Sequence, residues 1–205
     1  DGRLGFAWFV AMVVIAVLIL RVAMFSPFSI PSESMLPHLW KGDYLIATKW
    51  PYGYSRYSLP FDAPLGSGRL FAATPERGDG VIFRHPVDDV DYIKRVIGLP
   101  GDTVRVVEGQ VILNAAPVAQ EEVGDFAIPI SANTGCATAK WRQAGSLGEE
   151  ECLYTQRRET LPGGRAFTIL DQGAYPSDTF ETITVPEDYL FVMGDNRDSS
   201  LDSRV

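Results

Sequence analysis

The chain has 205 residues, 46% hydrophobic and 21% charged, enough to bury the core of one ordinary domain plus a short anchor and too few for a large multidomain machine. That composition excludes broad disorder, and a net charge of -8 without a basic cluster excludes a surface that tracks phosphates, so no nucleic-acid partner is expected. Nineteen glycines and 14 prolines suit turns and short strands better than a helical bundle, and an all-β class is expected.

The chain opens on Asp1 and stops at Ser203-Arg204-Val205 with no closing signal, so it is expected to be a fragment. Residues 5–20 carry no charge, and 22–25 extend the apolar run past Arg21. At 1.5 Å per residue, residues 5–25 would span roughly 30 Å as a helix, the hydrocarbon thickness of a bilayer. One transmembrane helix is expected, with Arg21 snorkelling to the interface near its end. A cleavable secretion signal would have a shorter apolar core followed by small residues, whereas Met24-Phe25-Ser26-Pro27-Phe28 follows here.

Next comes Ile30-Pro31-Ser32-Glu33-Ser34-Met35-Leu36-Pro37, a serine pair whose backbone two prolines fix; alone it reads as a turn. Strands are expected over 44–47, 81–83, 92–98, 104–107, 111–113, 167–170, 182–185 and 189–193, with 104–107 and 111–113 joined as a hairpin. Residues 51–71, dense in Pro, Gly and Tyr, are expected as an extended surface loop. Within 92–98, alternation puts Lys94 on the face of Tyr92 and Val96. A lysine on an apolar face either snorkels out or loses its charge and becomes a general base, and both readings stand at this point.

Residues 114–165 are weakly patterned and acidic around Glu149-Glu150-Glu151, and they hold both cysteines. In an oxidising compartment Cys136 and Cys152 can close a disulfide loop worth about 3 kcal/mol; in a reducing one they are two thiols. So far in sequence from Ser34, the bond is expected to leave activity intact when lost, as in Cys136→Ala. The last block, Gly194-Asp195-Asn196-Arg197-Asp198-Ser199-Ser200-Leu201-Asp202-Ser203-Arg204, reads by itself as a polar loop.

Conventional catalytic inventories do not fit. The histidines are His38, after Pro37, and His85, between Arg84 and Pro86, and neither a G-x-S-x-G elbow nor an H-E-x-x-H motif occurs. With no CxxC, no nearby histidine pair and no Gly-rich phosphate loop, neither metal nor cofactor is expected.

Taken in order, the anchor, the block 30–37, Gly42-Asp43-Tyr44, Gly78-Asp79-Gly80-Val81-Ile82-Phe83, the segment 92–102 and the block 194–204 resemble the bacterial type I signal peptidases, membrane-bound Ser/Lys peptidases of family S26. The run 52–60 looks like the form in Gram-negative members. The resemblance implies that Ser34 is the nucleophile and Lys94 the general base, with the Ser32 hydroxyl joining the Ser34 N–H in an oxyanion hole. It implies that Ser200 orients the lysine amine and that Asp202 and Arg204 form a supporting ion pair. Ile30, Met35 and Ile93 would lie near shallow pockets for the small side chains of an A-x-A cleavage site. Glu33, in place of a small residue, and Ser199, in place of a common Asn, depart from the pattern and read as tolerated variants.

The implied architecture is an antiparallel β-sheet catalytic core over 26–102 and 188–205, with a β-rich second domain inserted at 103–187 and an anchor at 1–25. Family members also continue past the last block with further strand residues. The implied activity is removal of signal peptides from exported preproteins at the bacterial inner (cytoplasmic) membrane, by a single-pass enzyme whose catalytic domain is periplasmic. The lipid bilayer is the other expected partner, with Phe25, Phe28, Ile30, Leu36, Leu39 and Trp40 as a candidate apolar rim. A self-cleaving repressor of the related Ser/Lys fold would need a DNA-binding domain where this chain has a span. A catalytically silent, membrane-anchored β-domain acting as a binding module would have no chemical need for Ser32, Ser34, Lys94 and Ser200 together.

Overall fold

The computed structural model describes residues 2–58, 68–131, 134–145 and 148–205, so part of the expected 51–71 loop lies outside the described residues. Helix α1 (Gly2–Ala23) leaves the side chains of residues 2–21 exposed, and its stretch Gly2–Arg21 is long and apolar enough to cross a membrane. It ends before the apolar run does. Pro27 has no N–H and biases Ser26 towards extended backbone, so strand β1 (Phe25–Ser29) takes over. It pairs antiparallel with β2 (Tyr44–Thr48), Pro27 opposite Ile46. At the end of this pair Ile30 N–H donates to Asp43 O and Gly42 N–H to Ile30 O, each at 2.8 Å. Gly42 closes that turn at φ +96, a backbone few other residues adopt.

Contacts divide the chain into two units: Asp1–Ile30 with Gly42–Pro75 and Arg84–Val90, and Pro31–Lys41 with Glu76–Phe83 and Asp91–Val205. The remaining strands are β3 (Gly80–Arg84), β4 (Asp91–Gly98), β5 (Thr103–Val107), β6 (Gln110–Leu113), β7 (Ala116–Pro117), β8 (Ala119–Pro129), β9 (Arg142–Ala144), β10 (Glu150–Thr160), β11 (Ala166–Asp171), β12 (Phe180–Thr184) and β13 (Phe191–Met193). They order as β13-β4-β3, as β12-β5-β6-β7, and as β11-β10-β8 with β9 also on β10. The protein is thus mostly β, with several antiparallel sheets and one N-terminal apolar helix.

The main core joins Ile97, Val104, Val106, Val111 and Leu113 to Phe167, Ile169, Phe191 and Met193. Gly98 lets these side chains close up, since a Cβ there would lie 2.8 Å from Val104 Cγ2 and 3.0 Å from Phe191 Cβ. A second cluster holds Leu36, Ile128, Cys152, Tyr154 and Leu170, with Phe126, Ile130, Cys136 and Trp141 half-buried against it. Cys136 and Cys152 form a disulfide, their Cα atoms 5.3 Å apart. Leu36 and Ile30, expected on an apolar rim, are buried instead; Phe25 and Trp40 remain more than a third exposed.

The stretch 114–165, which looked weakly patterned, holds the two longest strands, β8 and β10, of 11 residues each. Strand β8 is exposed along most of its length, so no alternation marks it. Strand β10 turns the wholly buried Glu159 inward, which breaks the apolar pattern. Glu159 Oε1 accepts from Arg197 Nη1 at 2.8 Å and Gln120 Nε2 at 2.7 Å, and Oε2 accepts from Arg197 Nη2. Glu159→Ala would strand a buried guanidinium, and urea unfolding is expected to show a loss of about 3–5 kcal/mol. An unchanged midpoint would mean that the pair contributes nothing net.

Candidate active site

Ser34 sits in a tight turn between Pro31 and Pro37. Leu36 N–H donates to Glu33 O at 3.1 Å, and His38 and Leu39 N–H to Met35 O at 3.0 Å each. Met35 and Leu36 point into the interior and pin the turn, leaving Ser34 only 4% exposed. Lys94 arrives from β4. Pleat alternation puts Tyr92, Lys94 and Val96 on one face, and the Lys94 ammonium lies 5.3 Å from the Tyr92 ring centroid.

The two side chains meet, with Lys94 Nζ donating to Ser34 Oγ at 2.7 Å and to Ile93 O at 3.1 Å. Ser32 Oγ lies 3.3 Å from Ser34 Oγ on the exposed side. Among the described residues no backbone carbonyl accepts from the Ser34 N–H. Burial lowers the Lys94 pKa from its ordinary value, and Asp202 and Asp195 oppose that shift without cancelling it.

The third block closes over this pair. Asp202 and Arg204 bond at 2.8 Å through Oδ1–Nε and Oδ2–Nη2, and Gly194 N–H donates to Asp202 Oδ2 at 3.0 Å. Burial alone would raise the Asp202 carboxyl, but Arg204 and the Gly194 N–H outweigh it and hold it below the usual carboxylate range. Ser200 is buried, and a Cβ on Gly194 would collide with its Oγ and with Ser34 O. No hydrogen bond joins Ser200 to Lys94 among the described residues. Of the expected pocket residues, Met35 is buried beside the nucleophile and Ile93 is half-buried beside Lys94, while the buried Ile30 belongs to the other unit.

Sequence reasoning missed the residues that hold the turn. Asn196 N–H donates to Ser34 O at 3.0 Å and its Nδ2 to Glu33 O at 3.2 Å. Its Oδ1 accepts from Gln172 Nε2 at 3.0 Å, and Gln172 Oε1 accepts from Ser199 Oγ at 3.0 Å. Asp195 accepts from Arg95 Nε and Nη2 at 2.6 Å each and pairs with His38 Nδ1 at 3.0 Å. His38 Nε2 lies 3.3 Å from Thr168 Oγ1, so both ring nitrogens are engaged away from Ser34. Asp195 and Asn196 stood in the quoted third block; Gln172 and Thr168 carried no signal, being polar residues whose partners are remote in sequence.

A cavity of about 470 Å³, lined by Asp171, Tyr175, Asp178, Arg197 and Asp198 among others, includes neither Ser34 nor Lys94. Among the described residues no group of three His, Cys, Asp or Glu side chains can hold a metal ion. A buried amine of lowered pKa bonded to a serine hydroxyl is suited to take the hydroxyl proton and generate a nucleophile.

Known proteins resemble this chain along nearly its whole length. Residues 3–205 match the family described as signal peptidase, peptidase S26. Signal peptidase I of Rickettsia prowazekii (strain Madrid E) is 38% identical over 205 residues, covering 95% of this chain and 70% of that protein. Signal peptidase I of Rickettsia massiliae (strain Mtu5) is 39% identical over 207 residues, covering 96% and 70%. A crystal structure of a signal peptidase I from Enterococcus faecalis V583 is 28% identical, covers 64% of this chain and 86% of its own, and superposes with a TM-score of 0.32.

Proposed function

The chain belongs to the signal peptidase family, peptidase S26, serine endopeptidases that cleave signal peptides from secreted preproteins, and from that premise we propose that Ser34 and Lys94 are its catalytic dyad. The observation that carries the assignment is the 2.7 Å bond between Ser34 Oγ and the buried Lys94 Nζ. Neutral Lys94 takes the Ser34 proton as Oγ attacks the scissile carbonyl, and the resulting ammonium gives a proton to the leaving amine. Water, activated by the same amine, then releases the acyl group from Ser34. The Ser34 N–H and the Ser32 hydroxyl hold the oxyanion, each contributing about 3 kcal/mol. Ser200 is assigned to orient the lysine amine during turnover, and the Asp202–Arg204 pair to fix the block that carries it.

Substrate enters extended, pairing with strand edges, and presents small side chains at the first and third positions before the cut to shallow pockets near Met35 and Ile93. The architecture is a catalytic core over 26–102 and 188–205 with an insert at 103–187. Helix α1 anchors the enzyme once in the bacterial inner membrane, with its catalytic part on the periplasmic side. Contact with lipid is supported by the exposed face of β1 and β2, where Phe25 and Pro27 come just after α1, Tyr44 and Ile46 lie on the paired strand, and Trp50 meets Phe25 edge-on at 5.4 Å. Nucleic acid is no partner. The detergent-solubilised protein is expected to cut a preprotein once, after an A-x-A segment, as read by mass spectrometry of the products. No cut, or scattered cuts, would overturn the reading. A silent binding module is disfavoured because it has no use for a buried, desolvated amine against a hydroxyl.

A further inference from the structure

The second apolar cluster takes no part in that chemistry, yet it reaches the nucleophile by two routes. The first is apolar. The wholly buried Cys152 shares a cluster with Ile128, Tyr154, Leu170 and Leu36, which is two residues from Ser34, and Cys136 and Trp141 pack half-buried against it. The second is polar. Trp141 Nε1 donates to Gln172 O at 2.7 Å, Gln172 Nε2 to Asn196 Oδ1 at 3.0 Å, and Asn196 holds the carbonyls of Glu33 and Ser34. Both routes start from the segment closed by the disulfide, and Ala137 N–H ties that segment to the Tyr154 hydroxyl at 2.8 Å.

We propose that the Cys136–Cys152 bond positions the Ser34 turn through Leu36 and through Trp141, Gln172 and Asn196, so that turnover depends on the redox state of this loop. The proposal rests on Ser34 being the nucleophile. It reverses the expectation drawn from sequence distance, because Leu36 and Cys152 share one cluster. The reductant is a dithiol. One of its thiolates attacks Cys136 Sγ, the half-buried sulfur; the S–S bond breaks, and Cys152 Sγ leaves and takes up a proton. The second thiol of the reductant displaces Cys136, leaving two cysteine thiols and the reductant as a cyclic disulfide. The loop between the cysteines then keeps only weaker ties to the cluster, and Leu36 and Gln172 lose their backing together. The strand edges that pair with substrate are untouched, so the loss falls on kcat.

The test measures kcat and KM on a preprotein for the oxidised, dithiol-reduced and reoxidised protein, with thiols counted by alkylation and mass spectrometry. Displacement of a nucleophile by about 1 Å costs on the order of 10- to 100-fold, and that drop in kcat is expected on reduction, with KM little changed. Reoxidation should restore it, and a C136S/C152S variant should start low and ignore the dithiol. Reduced protein with two free thiols and full kcat overturns the proposal. Should reduction also melt the fold, read by circular dichroism, oxidised Trp141→Phe decides: lower kcat at unchanged KM supports the polar route, and unchanged kcat overturns the proposal. Ser34→Ala, run alongside, separates the two claims. Activity in that variant overturns the nucleophile assignment, whereas redox-insensitive turnover with an inactive Ser34→Ala overturns only the role of the disulfide.

Discussion

Ser34→Ala is expected to abolish signal-peptide cleavage while precursor binding persists, a loss on the order of 10⁵- to 10⁶-fold in kcat. The change removes one oxygen from a turn that Met35 and Leu36 pin into the interior, so the fold has no reason to respond. What disappears is the hydroxyl 2.7 Å from Lys94 Nζ, and the amine is left with nothing to activate. Ser34→Cys should keep some turnover, because a thiol can also be acylated. Ser32→Ala, which spares the proposed dyad and removes the proposed oxyanion donor, should lose only about 10²- to 10³-fold. Single-turnover cleavage of a preprotein, read beside precursor binding, separates these variants. Full turnover in Ser34→Ala would sink the mechanism.

As the proposed base, Lys94 is expected to set the pH dependence. A lysine base works only when neutral, and one at an ordinary pKa near 10.4 would be almost wholly protonated at pH 7. Burial lowers the Lys94 pKa, so kcat/KM should rise with pH to a plateau reached well below pH 10. The sign of the stability effect follows from the same shift. Between the folded and unfolded pKa values the unfolded chain binds more protons, so stability rises with pH across that window and the burden of burying the ammonium vanishes above it. Lys94→Arg should be inactive across the range, since a guanidinium cannot release its proton there. A flat profile from pH 6 to 10, or turnover in Lys94→Arg, would assign the base elsewhere. His38 is poorly placed for that task because Asp195 and Thr168 engage both its ring nitrogens.

Much of the fold was legible wherever a side-chain pattern repeats along the chain. The run from 5 to 25 announced α1, although Pro27 ended the helix at Ala23 and turned Phe25 into a strand. Strands β4, β5, β6 and β11 appeared close to their expected bounds, because each alternates or carries an apolar run between turn residues. Strands β8 and β10 were illegible, one for lack of a buried face and the other because its inward residues include Glu159. In the candidate site, the family resemblance singled out Ser34 and Lys94, which the structure brings to 2.7 Å of each other. It did not single out the residues that hold the Ser34 turn. Arg95, next to Lys94 in sequence, binds Asp195, 100 residues away, and stacks 4.3 Å from the Phe167 ring centroid.

By itself, then, the sequence determined what depends on neighbours along the chain: an apolar helix of membrane length, short strands with their facing residues, and which side chains have chemistry to offer. Helix rise and strand pleat are local geometries, and a short window of residues suffices to express them. Only the tertiary structure decided which of these groups meet. Ser34 and Lys94 are 60 residues apart, and Asn196 reaches Glu33 across 163. A polar side chain that will be buried against a distant partner has the same local signature as one left in water, since its desolvation is offset by a hydrogen bond the local sequence does not contain. Glu159 with Arg197, and Cys152 in one cluster with Leu36, owe their roles to contacts of that kind.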